Sequence, residues 1–201
     1  MQDTALLIVD VQNDFCPGGA LPVPEGDQVV PVLNRVAQSI ARQGGLIVAS
    51  RDWHPPTTRH FAAYGGKWPV HCVQDTPGAA FHPDLKLPEG ALIISKGTSE
   101  SDDGYSAFEG RTPDGRTLLE VLREHGIRRL VVGGLATDYC VRASVLDALK
   151  HGFEVQVLTD AVRGVDLQPG DSERALHEMQ ASGATLTTSE QLLRQEASQH
   201  G

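Results

Sequence analysis

The chain alternates between short apolar runs and longer stretches in which apolar residues recur every three or four positions. A short apolar run suits a strand buried on both faces, whereas the three-to-four spacing is typical of an amphipathic helix. Between the first two runs, Val29, Leu33, Val36 and Ile40 fall on one helical face. Six runs predict strands, at residues 5–9, 46–49, 91–95, 130–132, 155–158 and 185–187.

Helical spacing returns at residues 118–122, 141–149 and 175–179. The repeated strand–helix unit predicts an α/β fold with a mostly parallel six-stranded sheet and helices on both faces, a Rossmann-like three-layer sandwich. The 201 residues show no shift in composition and no linker rich in proline, glycine or serine. We therefore expect residues 1–201 to form a single domain, with a polar, frayed end at residues 196–201.

Charge and cysteine content narrow the classes of function. There are 17 basic and 26 acidic residues, a net charge of -9, without a basic cluster, which argues against nucleic acid or an anionic membrane as a partner. A small-molecule ligand agrees better with this charge than nucleic acid or a membrane does. The sequence has no apolar run of membrane-spanning length and no signal segment, so we expect a cytoplasmic protein. The spacing of Cys16, Cys72 and Cys140 suits neither a disulfide framework nor a CxxC zinc site, and reduced thiols are expected.

Polar side chains stand at the ends of the predicted strands. Asp10 follows the first strand, Asp52 and His54 follow the second, Lys96 ends the third and Cys140 follows the fourth. Parallel sheets bind ligands at the carboxyl ends of their strands, so these side chains are predicted to share one site. A buried Asp10 needs a cation, which Lys96 can supply. Taken singly, such an aspartate is usually a turn residue and such a lysine is usually solvated.

Cys140 lies where an apolar strand gives way to a helix. Gly133 and Gly134 permit a tight turn, and Thr137 and Asp138 are residue types that cap helix N-termini. A thiol in the first helical turn is expected to have a lowered pKa, and the free N–H groups there can hold an oxyanion. The alternative is a small buried residue that packs the helix under the sheet.

The longest irregular stretch, residues 50–88, holds several histidines. A loop of that length in a compact domain is more often functional than idle. Asp52 and His54 stand two residues apart and so face the same side of an extended segment. Together with His60 and His71 they form a donor set suited to a divalent transition metal.

Motifs spread over most of the chain carry a resemblance to a known family. These motifs are Asp10-x-Gln12-Asn13-Asp14-Phe15, Asp52-x-His54 with His60 and Trp68-Pro69-x-His71-Cys72, Lys96-Gly97, Tyr105-Ser106-x-Phe108, and Gly134-x-Ala136-Thr137-Asp138-x-Cys140-Val141. They resemble the isochorismatase-like cysteine hydrolases. The aspartate, lysine and cysteine at strand ends mark that superfamily, and the loop of aspartate and histidines points within it to the nicotinamidases.

The resemblance implies a catalytic triad of Asp10, Lys96 and Cys140. It also implies a cis peptide bond before Ala136, and an oxyanion hole formed by the N–H groups of Ala136 and Cys140. One position departs from many members of the family, because Tyr139 stands where they carry histidine.

The resemblance further implies one divalent transition metal ion, with zinc ahead of manganese and iron, and aromatic contacts to a substrate ring. From spacing alone Phe15 either lines a pocket or packs against the domain, and the resemblance favours the pocket. The spacing between Lys96 and Tyr105 differs among members. The implied metal ligands are Asp52, His54 and His71, joined in some members by His60, and the implied ring contacts are Phe15, Trp68 and Tyr105.

The activity implied is hydrolysis of nicotinamide to nicotinate and ammonia through a cysteine thioester, a step of NAD salvage, with pyrazinamide as a close analogue. One alternative is another amidase or ester-type hydrolase of the superfamily acting on a different small molecule. A second is a non-catalytic binding protein on the same scaffold, for which a broken triad is expected. The sequence leaves open whether the chain forms a homo-oligomer.

Overall fold

The computed structural model describes residues 1–199, and these contain one parallel sheet. Its strands are β1 (Thr4–Val9), β2 (Leu46–Asp52), β3 (Leu92–Lys96), β4 (Arg129–Leu135), β5 (Glu154–Arg163) and β6 (Thr185–Thr187). They are hydrogen-bonded in the order β3-β2-β1-β4-β5-β6, and each neighbouring pair is parallel. The predicted α/β class, the parallel sheet and the six predicted strands are confirmed.

Five α-helices lie within the described residues. They are α1 (Val29–Arg42), α2 (Leu118–Glu124), α3 (Arg142–Lys150), α4 (Asp171–Ala181) and α5 (Ser189–Gln199). The first four coincide with the segments of helical spacing. None of these helices is both long and apolar enough to cross a membrane.

The helix α5 was not predicted, because its sequence is mostly polar and Leu192 is one of its few buried apolar residues. The frayed end predicted at its C-terminus is wrong for residues 196–199, which continue the helix. Glu196 is buried there and accepts a hydrogen bond of 3.0 Å from Nε2 of Gln43, the residue that follows α1. The remaining two residues of that prediction, 200–201, lie outside the described residues.

Both faces of the sheet are covered by helices, as predicted. On one face Ala5, Leu7 and Val9 of β1 pack with residues of α2, α3 and α4. On the other face Leu6 and Ile8 pack with residues of α1 and α5. A strand buried on both faces cannot alternate apolar with polar residues, and this explains the uninterrupted apolar run that predicted β1.

The centre of the sheet contains a topological switch, because the chain leaves β1 towards β2 on one side and returns as β4 on the other. Val9, the last residue of β1, is paired with Ser50 of β2 and Gly134 of β4. A Cβ at Gly134 would lie 2.1 Å from the Val9 carbonyl oxygen, and φ is +125°, so the close approach of these strands requires glycine. Open α/β sheets bind ligands in the crevice beyond such a switch, which is where Asp10 follows β1.

Asp52 belongs to β2 rather than to the segment after it, whereas Lys96 ends β3 as predicted. The strand β2 continues past the predicted end at residue 49 to Asp52, and Asp52 is paired with Lys96 at the end of β3. The apolar pattern ended β2 too early because Ser50, Arg51 and Asp52 are polar. The parallel register consequently fixes the carboxylate and the ammonium side by side.

Candidate active site

Lys96 is the centre of a buried cluster of charged side chains. Its Nζ donates hydrogen bonds to Oδ2 of Asp10 at 2.7 Å, to Oδ1 of Asp52 at 2.5 Å and to the carbonyl of Gly104 at 2.6 Å. The Sγ of Cys140 lies 3.4 Å from the same nitrogen. Burial acts to lower the pKa of Lys96, but the two carboxylates outweigh it and the pKa lies well above its ordinary value. This lysine is therefore a fixed cation rather than a solvated side chain.

Asp10 is fully buried and held by two neighbouring elements. Its N–H donates to the carbonyl of Ser50, and the Ser50 hydroxyl donates to Oδ1 of Asp10 at 2.8 Å. Burial raises the pKa of Asp10 to about 6, with Lys96 acting in the opposite direction. At neutral pH the carboxyl group is consequently ionised, yet it is a stronger base than an exposed aspartate.

The thiol of Cys140 does not have the lowered pKa that was expected from its place at a helix start. Burial raises its pKa well above the ordinary value, and Lys96 opposes that effect while Asp10 adds to it. The residue is only 7% exposed, so burial is the largest cause of this shift. The Sγ and a carboxylate oxygen of Asp10 lie within 4.8 Å of each other. At rest this pair is a protonated thiol beside an ionised carboxylate.

The chain enters the helix of Cys140 through a turn that differs from the predicted capping. The peptide bond between Leu135 and Ala136 is cis, and Thr137–Val141 form a π-helical turn before α3. This helix start has no side-chain cap, so the expected N-cap role of Thr137 and Asp138 is wrong. Both carboxylate oxygens of Asp138 instead accept N–H groups of the β5–α4 loop, from residues 165 and 166 at 3.0 and 2.8 Å.

Three buried histidines converge beside the lysine cluster, with ring nitrogens within 4.8 Å of one another. In each ring Nδ1 lies opposite an oxygen that can only accept, so Nδ1 carries the proton and Nε2 presents a lone pair when the ring is neutral. The acceptors are the Gly97 carbonyl for His54 at 2.9 Å, Oδ1 of Asp103 for His60 at 2.9 Å and the Pro69 carbonyl for His71 at 2.7 Å.

Asp52 directs its second oxygen at two of these rings. Its Oδ2 lies 3.4 Å from Nε2 of His54 and 3.9 Å from Nε2 of His71. The buried Nε2 of His54 has no hydrogen-bond partner among the described residues. A lone pair and a carboxylate oxygen facing each other require a cation between them. Imidazole nitrogens with one carboxylate form a donor set for zinc and similar divalent ions, so these residues fit a metal site.

The protonation states of these residues agree with a metal site. Burial lowers the pKa of His71 to about 4 and also lowers the pKa of His60. Burial acts to raise the pKa of Asp52, but Lys96 and His54 outweigh it and hold this pKa well below its ordinary value. At neutral pH His60 and His71 are consequently neutral and Asp52 is ionised, the forms in which these groups bind metals.

A small cavity opens onto both clusters. Asp52, His60 and His71 line it together with Ala136 and Cys140. The predicted ring contacts are also present in its lining, namely Phe15, Trp68 and Tyr105, and the indole N–H of Trp68 donates to the Tyr105 hydroxyl at 2.9 Å. A wider surface groove lies along α3 and α4, but none of the predicted site residues lines it.

The structure adds residues whose role the sequence did not indicate. The amide of Gln12 donates to the Asp52 carbonyl at 2.8 Å and accepts the Asp52 N–H at 2.9 Å, which fixes the end of β2. Val165 lines the cavity, as does Tyr139, which the resemblance had already marked at the pocket rim and which packs edge-on against Trp68 with ring centroids 4.9 Å apart. Gln12 lies within one of the quoted motifs, which was the available signal. No signal in the sequence indicated the contact of Ser50 with Asp10, since that contact depends on the register of two strands.

Comparison with known proteins places these features in a family. Residues 4–191 match the family model described as the isochorismatase domain. The nicotinamidase of Escherichia coli strain K12 is 47% identical over 94% of this chain and 96% of its own length. The crystal structure of the pyrazinamidase of Pyrococcus horikoshii in complex with zinc is 52% identical, with a TM-score of 0.85 over 92% of this chain and 99% of that one. The crystal structure of PnC1 from L. infantum in complex with nicotinate is 34% identical, with a TM-score of 0.83 over 94% and 95%.

Proposed function

This chain belongs to the isochorismatase-domain family, and on that premise we propose that it is an amidase that hydrolyses nicotinamide to nicotinate and ammonia, a step of NAD salvage. One observation carries the proposal. A single cavity is lined both by the cysteine of an Asp-Lys-Cys cluster and by members of an Asp-His metal cluster. An amide on an aromatic ring needs a nucleophile at one end and a partner for the ring at the other, and this cavity offers both.

Cys140 acts as the nucleophile and Asp10 as the base. The thiol proton passes to the Asp10 carboxylate as sulfur forms a bond to the amide carbon. Asp10 then returns the proton to the departing nitrogen, the C–N bond breaks and ammonia leaves a thioester on sulfur. Water next loses a proton to Asp10 while its oxygen attacks the thioester, and nicotinate is released with regeneration of the thiol. The raised pKa of both groups supports a base-assisted thiol over a thiolate that exists at rest.

Lys96 contributes to these reaction steps by its charge and by its position. Its ammonium stays protonated between two carboxylates and 3.4 Å from the sulfur, so it stabilises the thiolate as that charge develops. The N–H groups of Ala136 and Cys140 receive the oxyanion of the tetrahedral intermediate. Each such donor contributes about 3 kcal/mol in comparable sites. Placement of the Ala136 and Cys140 residues in one cavity lining supports this role.

Asp52, His54, His60 and His71 would hold one divalent transition metal ion, with zinc ahead of manganese and iron. Bound there, such an ion supplies a Lewis-acid partner for the pyridine nitrogen and withdraws electron density from the ring. Phe15, Trp68 and Tyr105 pack against the ring faces and edges. The zinc complex of the similar pyrazinamidase supports the choice of metal, and its name makes pyrazinamide a second substrate to assay.

The test is ammonia release from nicotinamide by the purified protein, measured before and after removal of metal, with Cys140→Ala as the blank. Turnover that requires both metal and Cys140 supports the proposal. Turnover of other small amides with none for nicotinamide would favour the alternative hydrolase. Metal binding without turnover of any amide would favour the non-catalytic protein. A cytoplasmic location remains a prediction from the sequence.

A further inference from the structure

The three histidines of the metal cluster differ in what holds their Nδ1 atoms. His54 and His71 donate to main-chain carbonyls, which a side-chain substitution cannot remove. His60 instead donates to a side chain, Oδ1 of Asp103 at 2.9 Å. The imidazole side chain is only 4% exposed, whereas that of Asp103 is 63% exposed. A buried ring is thus hydrogen-bonded to a carboxylate that stands largely in solvent.

The segment that carries Asp103 is fixed against the loop of His60 by further contacts. The carbonyl of Glu100 accepts the N–H of Arg59 at 2.9 Å and the hydroxyl of Thr58 at 3.2 Å. The same Thr58 hydroxyl accepts the N–H of His60 at 3.2 Å. These bonds hold the backbone of both segments in place. They do not contact the His60 imidazole, which is hydrogen-bonded to Asp103.

We propose that Asp103 is a positioning residue for the metal site, which fixes His60 as a ligand through Nε2. The inference rests on the proposed function, because it requires that the histidine cluster binds a metal. The carboxylate holds the proton on Nδ1, selects the tautomer whose Nε2 lone pair faces the cluster, and increases the basicity of that lone pair. Removal of such a partner typically weakens metal binding about 10- to 100-fold.

Asp103 can strengthen metal binding in two ways, and an experiment can distinguish them. Asp103 also brings a negative charge near the cation, and that charge alone would strengthen binding whether or not His60 takes part. If Asp103 acts through His60, its removal has no effect once His60 is gone. If it acts by charge alone, its removal has the same effect in either background.

The experiment is a double-mutant cycle read as the Kd for zinc. Metal-stripped wild type, Asp103→Ala, His60→Ala and the double variant are titrated in competition with a chromogenic chelator at one pH and ionic strength. Asp103→Ala is expected to raise the Kd about 10- to 100-fold in the wild-type background and to leave it unchanged in His60→Ala. Asp103→Asn keeps an oxygen acceptor without the charge, so its Kd should lie between those of wild type and Asp103→Ala.

Glu89→Gln is the matched control, since Glu89 is an exposed carboxylate that precedes β3, at the end of the sheet opposite the site. Its Kd should equal that of wild type. An unchanged Kd in Asp103→Ala, or an equal loss in both backgrounds, would overturn the inference. Ammonia release from nicotinamide by zinc-loaded wild type is measured separately. If that enzyme is active and Asp103→Ala leaves the Kd for zinc unchanged, this inference alone is refuted. A wild type that binds no zinc refutes the metal site and the inference together.

Discussion

Asp52 and Lys96 end neighbouring strands and form a buried ion pair, with Oδ1 of Asp52 2.5 Å from Nζ of Lys96. The other oxygen of the same carboxylate lies 3.4 Å from Nε2 of His54. One side chain thus belongs both to the cluster around Cys140 and to the histidine cluster. A change at Asp52 is expected to disturb two functions, whereas a change at a histidine should disturb one.

Asp52→Ala should consequently lose zinc binding and turnover together, and added zinc should not restore turnover. The variant leaves Lys96 buried with one carboxylate instead of two, and breaking a buried ion pair costs about 3–5 kcal/mol of unfolding free energy. The measurements are kcat/KM for nicotinamide at rising zinc and the thermal unfolding midpoint. His71→Ala is the control, since excess zinc should restore part of its turnover. Full recovery of Asp52→Ala in zinc would show that Asp52 serves the metal alone.

Cys140→Ala is expected to abolish turnover while the fold is kept, because a methyl group can neither attack the amide nor form a thioester. If Asp10 acts only on the thiol and on groups bound to it, Asp10→Asn should cost nearly as much, and the double variant should cost no more than either single one. The set is compared by kcat/KM, with circular dichroism to check folding. Retention of more than about a tenth of the rate by Cys140→Ala, roughly 1.4 kcal/mol, would contradict the nucleophile assignment.

The pH dependence should report Asp10, whose pKa is raised to about 6 by burial against the opposing effect of Lys96. Below that pH the carboxyl group is protonated and cannot accept the thiol proton, so kcat/KM should fall on the acid side and reach a plateau above it. Ser50→Ala removes a hydrogen bond to the ionised form. Since such a bond is worth about 1 kcal/mol, the acid limb should move up by about 0.7 pH units.

Ser50→Thr keeps the hydroxyl group and should leave the acid limb where it is in wild type. The profile is measured as kcat/KM from about pH 4.5 to about 8 at saturating zinc, a range that spans the raised pKa of Asp10 and the usual pKa of histidine. If Ser50→Ala left the limb in place, or moved it to lower pH, Asp10 would not be the group that the profile reports.

Much of the site followed from the sequence because apolar runs mark where buried strands stop. Asp10 lies directly after such a run, and Lys96 ends another, so their meeting at one sheet edge depends only on the strands being parallel. The positions of Asp52 and His54 two residues apart indicated a shared direction, which the 3.4 Å distance between them bears out.

What could not be predicted depends on register and on burial. The pairing of Asp52 with Lys96 and the bond from Ser50 to Asp10 follow from how β1, β2 and β3 align, and no local pattern encodes that alignment. The pKa of Cys140 was predicted in the wrong direction, because a helix start is visible in sequence whereas full burial of a thiol is not. The contact of Asp103 with His60 joins two irregular segments, for which periodicity has no information.

The ring nitrogen of the substrate offers the most direct test of what the histidine cluster does. Benzamide has nearly the shape of nicotinamide and the same amide but no ring nitrogen, and Phe15 and Trp68 cannot distinguish the two rings. A site built around a specific polar partner discriminates far more strongly than one built on shape. We expect a large drop in kcat/KM from nicotinamide to benzamide in wild type, and a smaller one in His71→Ala, which loses the nitrogen-specific contribution for nicotinamide and has little to lose for benzamide. Both substrates are assayed on both proteins without added zinc, so that His71→Ala is compared with its metal site depleted. Equal rates in wild type, or the same ratio in His71→Ala, would show that the cluster does not recognise the ring nitrogen.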